Sequence, residues 1–263
     1  MALHFDSPKQ LRAGLNMTWT ALAATAYYVV KSVVDPTILP NAGLARPLTV
    51  TAPDGTVLNC SHPAAVNGRV QTCQRVSDLI IGALAQAVPE RVTACSNSVC
   101  TVATFIGQRP EDGAIWVYLE TMGGGAGARA TKDGLDGVHV HVTNTSNLPV
   151  EALEIEYPLT LLRYELVDDS GGVGQYRGGM GLRRVYRADQ DCRVRVDVSR
   201  LSSKSWGLLG GGAGGHGAVE CGPGVVFDKD NAVLKAGQWF AVVSPGGGGY
   251  GPPDRRAPAA VAR

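Results

Sequence analysis

No Cys-x-x-Cys pair occurs among the six cysteines, at 60, 73, 95, 100, 192 and 221, so a structural zinc site of the usual spacing is excluded. Charge of either sign is scarce and balanced, with 24 Lys and Arg against 23 Asp and Glu. Such a chain has no global field to gather nucleic acid or an anionic membrane. No basic segment precedes an apolar run at the start, so no secretory signal is expected. The 34 glycines follow no Gly-X-Y period, which excludes a collagen-like chain. No Gly-x-Ser-x-Gly elbow and no Gly-Lys-Ser/Thr phosphate loop is present. The stretch from Ala13 to Val30 lacks charge, but Asn16, Thr18, Thr20, Thr25, Tyr27 and Tyr28 make it too polar for a membrane span. These absences point to a cytoplasmic protein with reduced thiols. Cys95 and Cys100 could pair only in a secreted setting.

What is present is a globular balance, 44% hydrophobic and 18% charged over 263 residues. Trp19, Leu22, Ala26, Val29, Val30 and Val33 recur at helical spacing, so a first helix is expected from about Pro8 or Lys9 to Val34, ended by Asp35-Pro36. Val76, Leu79, Ile80, Ala83, Leu84 and Ala87 predict a second over about Val70–Gln86. Between them, LTVTA and TVLNC read as short strands around Pro53-Asp54-Gly55. Strands near Cys100–Ile106 and Ile115–Glu120 make a hairpin.

From Val138 helix signals nearly vanish, and β-like runs recur at Gly137–Val142, Pro158–Glu165, Leu182–Tyr186, Arg193–Val198, Val225–Phe227 and Trp239–Val243. The expected class is α+β: a helix-plus-sheet part over residues 1–136, then a β-rich, Gly-rich part over 137–263, a sandwich or barrel by its pattern.

Three glycine clusters stand out: Met122 to Arg129, Gly210 to Gly217, and Pro245 to Gly251. Glycine amides can cradle phosphate, but none of these clusters has the strand-before, helix-after context. Close backbone packing is the alternative. After the first cluster comes a chemically dense run with Asp133, Asp136, His139, His141 and Asn144. On a strand, His139 and His141 share a face and could hold a metal or bond to backbone, though no third ligand sits at a sensible spacing.

The runs "PNAGLARPLTV", "APDGTVLN", "QTCQRVSDLIIGALAQAVPERV", "ETMGGGAGARATKDGLDGVHVHVTNTSNLPVEALEIEYPL", "RYELVDDSGGVGQYRGGMGLRR" and "PGGGGYG" resemble the C-terminal half of hydantoinase B/oxoprolinase chains, over about His4 to Tyr250. The resemblance implies one subunit of an ATP-dependent cyclic-amide hydrolase, opening hydantoin, 5-oxoproline or lactam rings and inactive alone. A related branch, to which acetone and acetophenone carboxylases belong, carboxylates ketones. A non-catalytic structural subunit is the third alternative.

In this family ATP and Mg are held by a separate hydantoinase A-type subunit, which makes the phosphorylated intermediate. The first half of a typical B chain carries an Asn-Asp-Pro and His-rich segment associated with a divalent metal, and that segment is absent here. The resemblance therefore implies a second partner, an N-terminal-half B-type subunit, with no metal in this chain. It also implies a hetero-oligomer, and an isolated chain with an exposed apolar patch. Within the matching block it puts forward Arg129, Asp136, His139, His141 and Asn144 as catalytic candidates. Gly123, Gly124 and Gly125 are its cofactor-binding candidates.

Overall fold

The computed structural model describes residues 1–261, and two compact units emerge: Met1–Thr93 with His141–Thr143, and Ala94–Val140 with Asn144 onward. The units thus divide at Thr93/Ala94, whereas the local pattern changes character at 136/137. Helices and sheets are both present, so the class is α+β.

In the first unit, β1 (Ala2–His4) and β2 (Thr49–Thr51) form a parallel pair. Helix α1 (Trp19–Val34) is followed by the single turn α2 (Ala42–Ala45) and by α3 (Arg69–Leu84), which packs on α1. Helix α1 starts at Trp19, the first residue of its apolar stripe, rather than at Pro8 or Lys9. Asn16 is the reason: its fully buried side chain accepts from Leu11 N–H and donates to the carbonyls of Leu11, Ala13 and Ala65, which fixes a loop. Thr18 then caps the helix by accepting from Ala21 N–H at 3.3 Å. Leu22, Ala26, Val29, Val30 and Val33 are buried as the stripe predicts, and Trp19 is exposed. Each such aliphatic burial is worth about 1.5–3 kcal/mol. TVLNC is a tight turn, with Thr56 bridged to Asn59, and not a strand.

Helix α3 buries Val76 and Ile80 as predicted, but its buried face is turned from the predicted one. Leu79 and Ala83 point outward, and the buried side is Cys73, Gln74, Val76, Ser77, Asp78, Ile80 and Ile81. Three polar side chains lie on that side, and a hydrophobic count alone cannot find them.

The second unit is an antiparallel sandwich. One sheet has the order β4-β3-β7-β10-β9, built from β3 (Thr101–Gln108), β4 (Ile115–Met122), β7 (Cys192–Asp197), β9 (Phe227–Asp228) and β10 (Asn231–Leu234). The other has the order β5-β6-β11-β8, built from β5 (Leu159–Leu166), β6 (Leu182–Ala188), β8 (Ala218–Cys221) and β11 (Trp239–Val243). Inward residues alternate along the strands. Phe105, Trp116, Tyr118, Val194, Val196 and Leu234 of the first sheet meet Leu182, Tyr186, Phe240 and Val242 of the second in one core. The expected hairpin is β3–β4, paired without interruption from Thr101↔Met122 to Gln108↔Ile115.

A short helix, α4 (Val150–Glu156), was not legible in the sequence; it buries Leu153 at the sandwich rim. The turn α5 (Pro258–Val261) ends the described chain. No helix among the described residues is long and apolar enough to cross a membrane. All six cysteines, Cys95 and Cys100 included, are free thiols.

Candidate functional site

The three glycine clusters converge in the second unit. Residues 94–97, 123–128, 134–137, 170–179, 205–215 and 245–251 run mostly outside the regular strands, and backbone hydrogen bonds join them side by side. Gly125 N–H donates to Pro245 O at 3.0 Å, Gly179 N–H to Ala126 O at 2.8 Å, Gly247 N–H to Gly179 O at 2.9 Å and Gly248 N–H to Cys95 O at 2.7 Å. No side chain fits between them: a Cβ on Gly125 would lie 1.9 Å from Gly179 O and 2.3 Å from Gly247 N.

The cofactor reading of Gly123, Gly124 and Gly125 meets this geometry directly. All three are buried, and the Gly124 and Gly125 amides donate to the Val138 and Pro245 carbonyls. A Cβ on Gly123 would meet Val138 C at 2.6 Å. The Gly124 and Gly125 donors that a phosphate would need are turned onto protein, and all three glycines permit a close backbone approach.

Asp136 is a brace for the same bundle. It binds Arg177 through two oxygens, at 2.7 and 2.9 Å, and accepts from Met180 N–H at 2.7 Å. Asp133 pairs likewise with Arg256 at 2.8 Å and accepts from Arg177 N–H. The Arg256 hydrogen bond is the largest influence holding the Asp133 carboxyl below its ordinary value. Burial alone would raise Asp136, but the Arg177 and Met180 contacts outweigh it and the carboxyl is held low.

The expected strand over Gly137–Val142 does not form. Gly124 bridges Val138 in isolation, and His141 has a φ of +55°. That left-handed step breaks the alternation, so His139 and His141 do not share a strand face. They belong to different units. His139 lies in the second, with both ring nitrogens buried and no hydrogen-bond partner among the described residues. Burial lowers its pKa, so the ring is neutral at pH 7. His141 lies in the first unit, where Nε2 sits 3.2 Å from Asp78 Oδ2 with both side chains buried. Tyr28 meets the His141 ring edge-on at 6.4 Å, and its phenol is raised first by burial and then by the Asp78 charge. Gln74 donates to Thr143 Oγ1 at 3.1 Å beside this pair. A carboxylate behind an imidazole orients the ring and selects a tautomer, the arrangement by which a histidine moves a proton.

Arg129 and Asn144 are exposed. The Arg129 N–H closes a turn onto Lys132 O. Of the five polar candidates, Arg129, Asp136, His139 and Asn144 lie in the second unit and His141 in the first.

Sequence reasoning missed a buried charge network at the sandwich rim. Glu120 and Arg184 both point into the core, and Arg184 Nη1 meets Glu120 Oε1. Tyr186 Oη donates to Glu120 Oε2 at 2.9 Å, and Asn147 Nδ2 donates to Glu120 Oε1 at 2.8 Å. The Arg184 guanidinium lies 4.4 Å from the Tyr164 ring centroid, and Tyr164 Oη donates to Asn147 Oδ1. Burial pushes the Tyr186 phenol well above its ordinary value, which keeps it a donor. The signal was parity: Trp116, Tyr118, Glu120 and Met122 occupy one face of β4. A second buried cation, Arg200, donates to Asn97 O, Cys95 Sγ and Ser98 Oγ. Among the described residues no three His, Cys, Asp or Glu side chains converge as a metal set.

A hydantoinase B/oxoprolinase family model matches residues 1–253. The chain belongs to the hydantoinase B/oxoprolinase family. An uncharacterised protein of Methanocaldococcus jannaschii is 41% identical over 94% of this chain and 44% of its own length. A putative B-type subunit of a D-/L-hydantoinase from a Pseudomonas species is 34% identical over 97% of this chain and 45% of its own. The crystal structure of the ATP-dependent caprolactamase from Pseudomonas jessenii superposes with a TM-score of 0.79 at 25% identity, covering 99% of this chain and 48% of that one. The chain thus spans less than half the length of each of these relatives.

Proposed function

We propose that this chain is one part of an ATP-dependent cyclic-amide hydrolase, completed by a hydantoinase A-type ATP-binding subunit and by polypeptide equivalent to the rest of a B-type chain. The observation that carries the reading is coverage. A putative B-type hydantoinase chain aligns with 97% of this chain, and an ATP-dependent caprolactamase covers 99% of it, while each has about as much chain again.

Two of the first cluster's glycine amides, those of Gly124 and Gly125, are engaged by carbonyls. In this reading the partners supply nucleotide activation, through a phosphorylated intermediate, and metal binding, and the assembly works in the cytoplasm. This chain contributes positioning. Its glycine bundle is a stiff wall, because backbones in contact cannot slide without breaking hydrogen bonds. In the first unit the Asp78–His141 pair holds an oriented imidazole, and among the sequence-chosen candidates it is the best placed to move a proton.

The test is reconstitution from purified parts. The chain alone should be inactive, and the full set should open hydantoin, 5-oxoproline or caprolactam with ATP. Turnover that requires bicarbonate would assign the complex to ketone carboxylation instead. Full activity without this chain would leave it a bystander.

A further inference from the structure

The second unit has four sheet edges, and three carry the protection that edges normally need. Strand β9 is only two residues long. Strand β8 is four residues with Glu220 on it. Strand β5 breaks register between Leu161 and Arg163 and carries Arg163 and Glu165. The fourth edge, β4, is long and regular, and its one charge, Glu120, points inward and is paired with Arg184 near the strand's end. It runs eight residues in unbroken register with β3, without proline or bulge.

Its outward side chains are apolar: Ile115 is 73% exposed, Val117 51% and Leu119 59%, with Ile106 of β3 beside them at 41%. The backbone of the same residues faces outward. Arg109 N–H donates to Ala114 O, so the even positions of β4 hydrogen-bond to β3 and the odd ones turn away. Thr121 agrees, since its carbonyl is taken from the free side by Asn147 Nδ2 at 2.8 Å. Ile115, Val117 and Leu119 therefore present N–H, C=O and an apolar side chain together, and no other strand pairs with this edge among the described residues. At Asn147 the edge opens into a cleft of about 460 Å³, lined by Tyr118, Glu120, Thr145 and Tyr157 among others.

We infer that β4 is a docking edge, completed by an extended segment of the polypeptide that supplies the rest of the B-type chain. This rests on the proposed function for the identity of the partner. The archaeal, hydantoinase and caprolactamase relatives carry more than half their length outside the region matched here. An added strand would form main-chain hydrogen bonds to Ile115, Val117 and Leu119 and stop where Asn147 already occupies Thr121. Its sheet-facing side chains would be apolar, to pack beside the exposed Ile115, Val117 and Leu119.

The test is made on the assembled complex. With Val117→p-benzoylphenylalanine, irradiation should cross-link to one extended peptide of the partner that aligns with the relatives' unmatched region. Amides of residues 115–119 should exchange at least tenfold more slowly in the complex than in the isolated chain. Val117→Pro is the sharper variant: its N–H points to the free side, so proline spares the β3 ladder. It should melt within a few degrees of wild type yet co-purify with the partner at least tenfold less. A cross-link to a second copy or to the ATP-binding subunit, unprotected amides in the complex, or normal co-purification of Val117→Pro would overturn the inference. Ring opening by a complex whose β4 edge stays unprotected would sink this inference alone. A protected edge in a complex with no ATP-dependent ring opening would sink the function alone.

Discussion

Replacing Gly125 by alanine tests the claim that the glycine clusters are a packing device. At an unstrained position Gly→Ala commonly stabilises a fold by about 0.4–1 kcal/mol through the unfolded state. Here the added Cβ would lie 1.9 Å from Gly179 O and 2.3 Å from Gly247 N, both backbone atoms. Ordinary contact begins at 3.4 Å, so the Gly179 segment must retreat by about 1.5 Å, the difference between 3.4 and 1.9. That retreat breaks or stretches three hydrogen bonds, from Gly125 N–H, Gly179 N–H and Gly247 N–H. At about 1 kcal/mol each, with about 1–3 kcal/mol for overpacking, the expected loss is about 4–6 kcal/mol. Urea titration followed by tryptophan fluorescence reads it. Gly237→Ala is the control, with a φ of +86° and nothing within 4 Å of its Cβ, and should lose only about 1–2 kcal/mol. A Gly125→Ala protein as stable as wild type would refute the packing account.

Further perturbations probe the other assignments. Glu120→Leu leaves Arg184 buried without its anion and should cost about 3–5 kcal/mol, while the double variant Glu120→Leu/Arg184→Met should lose clearly less than the sum of the singles; additive losses in chemical denaturation would argue against the buried pair. Asp133 and Asp136 are both held low, so the stability they contribute is present above about pH 4 and is lost as pH falls through their depressed folded values. Asp136→Asn should flatten part of that acid limb, and an unchanged limb would mean that Arg177 does not hold the bundle. His139 is also lowered, and the unfolded chain takes its proton first as pH falls below about 6.5. Stability should therefore decline below that pH in wild type, and His139→Phe should remove this component; an identical pH slope in both would place the ring in water.

The strands with clean alternation were legible because burial on one face imposes a period of two. In β7, Val194 and Val196 are buried between exposed Arg193 and Arg195, as their order predicts. Two kinds of information were hidden. Side chains that bind backbone set element ends that periodicity does not mark, and Asn16 fixes the loop before α1 in that way. Single residues in the left-handed region also defeat it. His141 turns Gly137–Val142 from an apparent strand into a loop that delivers one imidazole to Asp78. Glu120 and Arg184 followed strand parity rather than hydropathy, and Asp78 lies on the buried side of α3, so all three escaped notice. The glycine runs announced close packing, but which segments they bring together depends on pairings far apart in the chain, such as Gly125 with Gly179 and Gly247.

The most direct measurement is ATP-dependent ring opening by the reconstituted assembly, with this chain supplied, omitted, or supplied as His141→Gln. The account predicts turnover only when the chain is present, and a loss of at least about a hundredfold in the variant with assembly intact, the scale of a lost acid–base group. Undiminished turnover without the chain would contradict it.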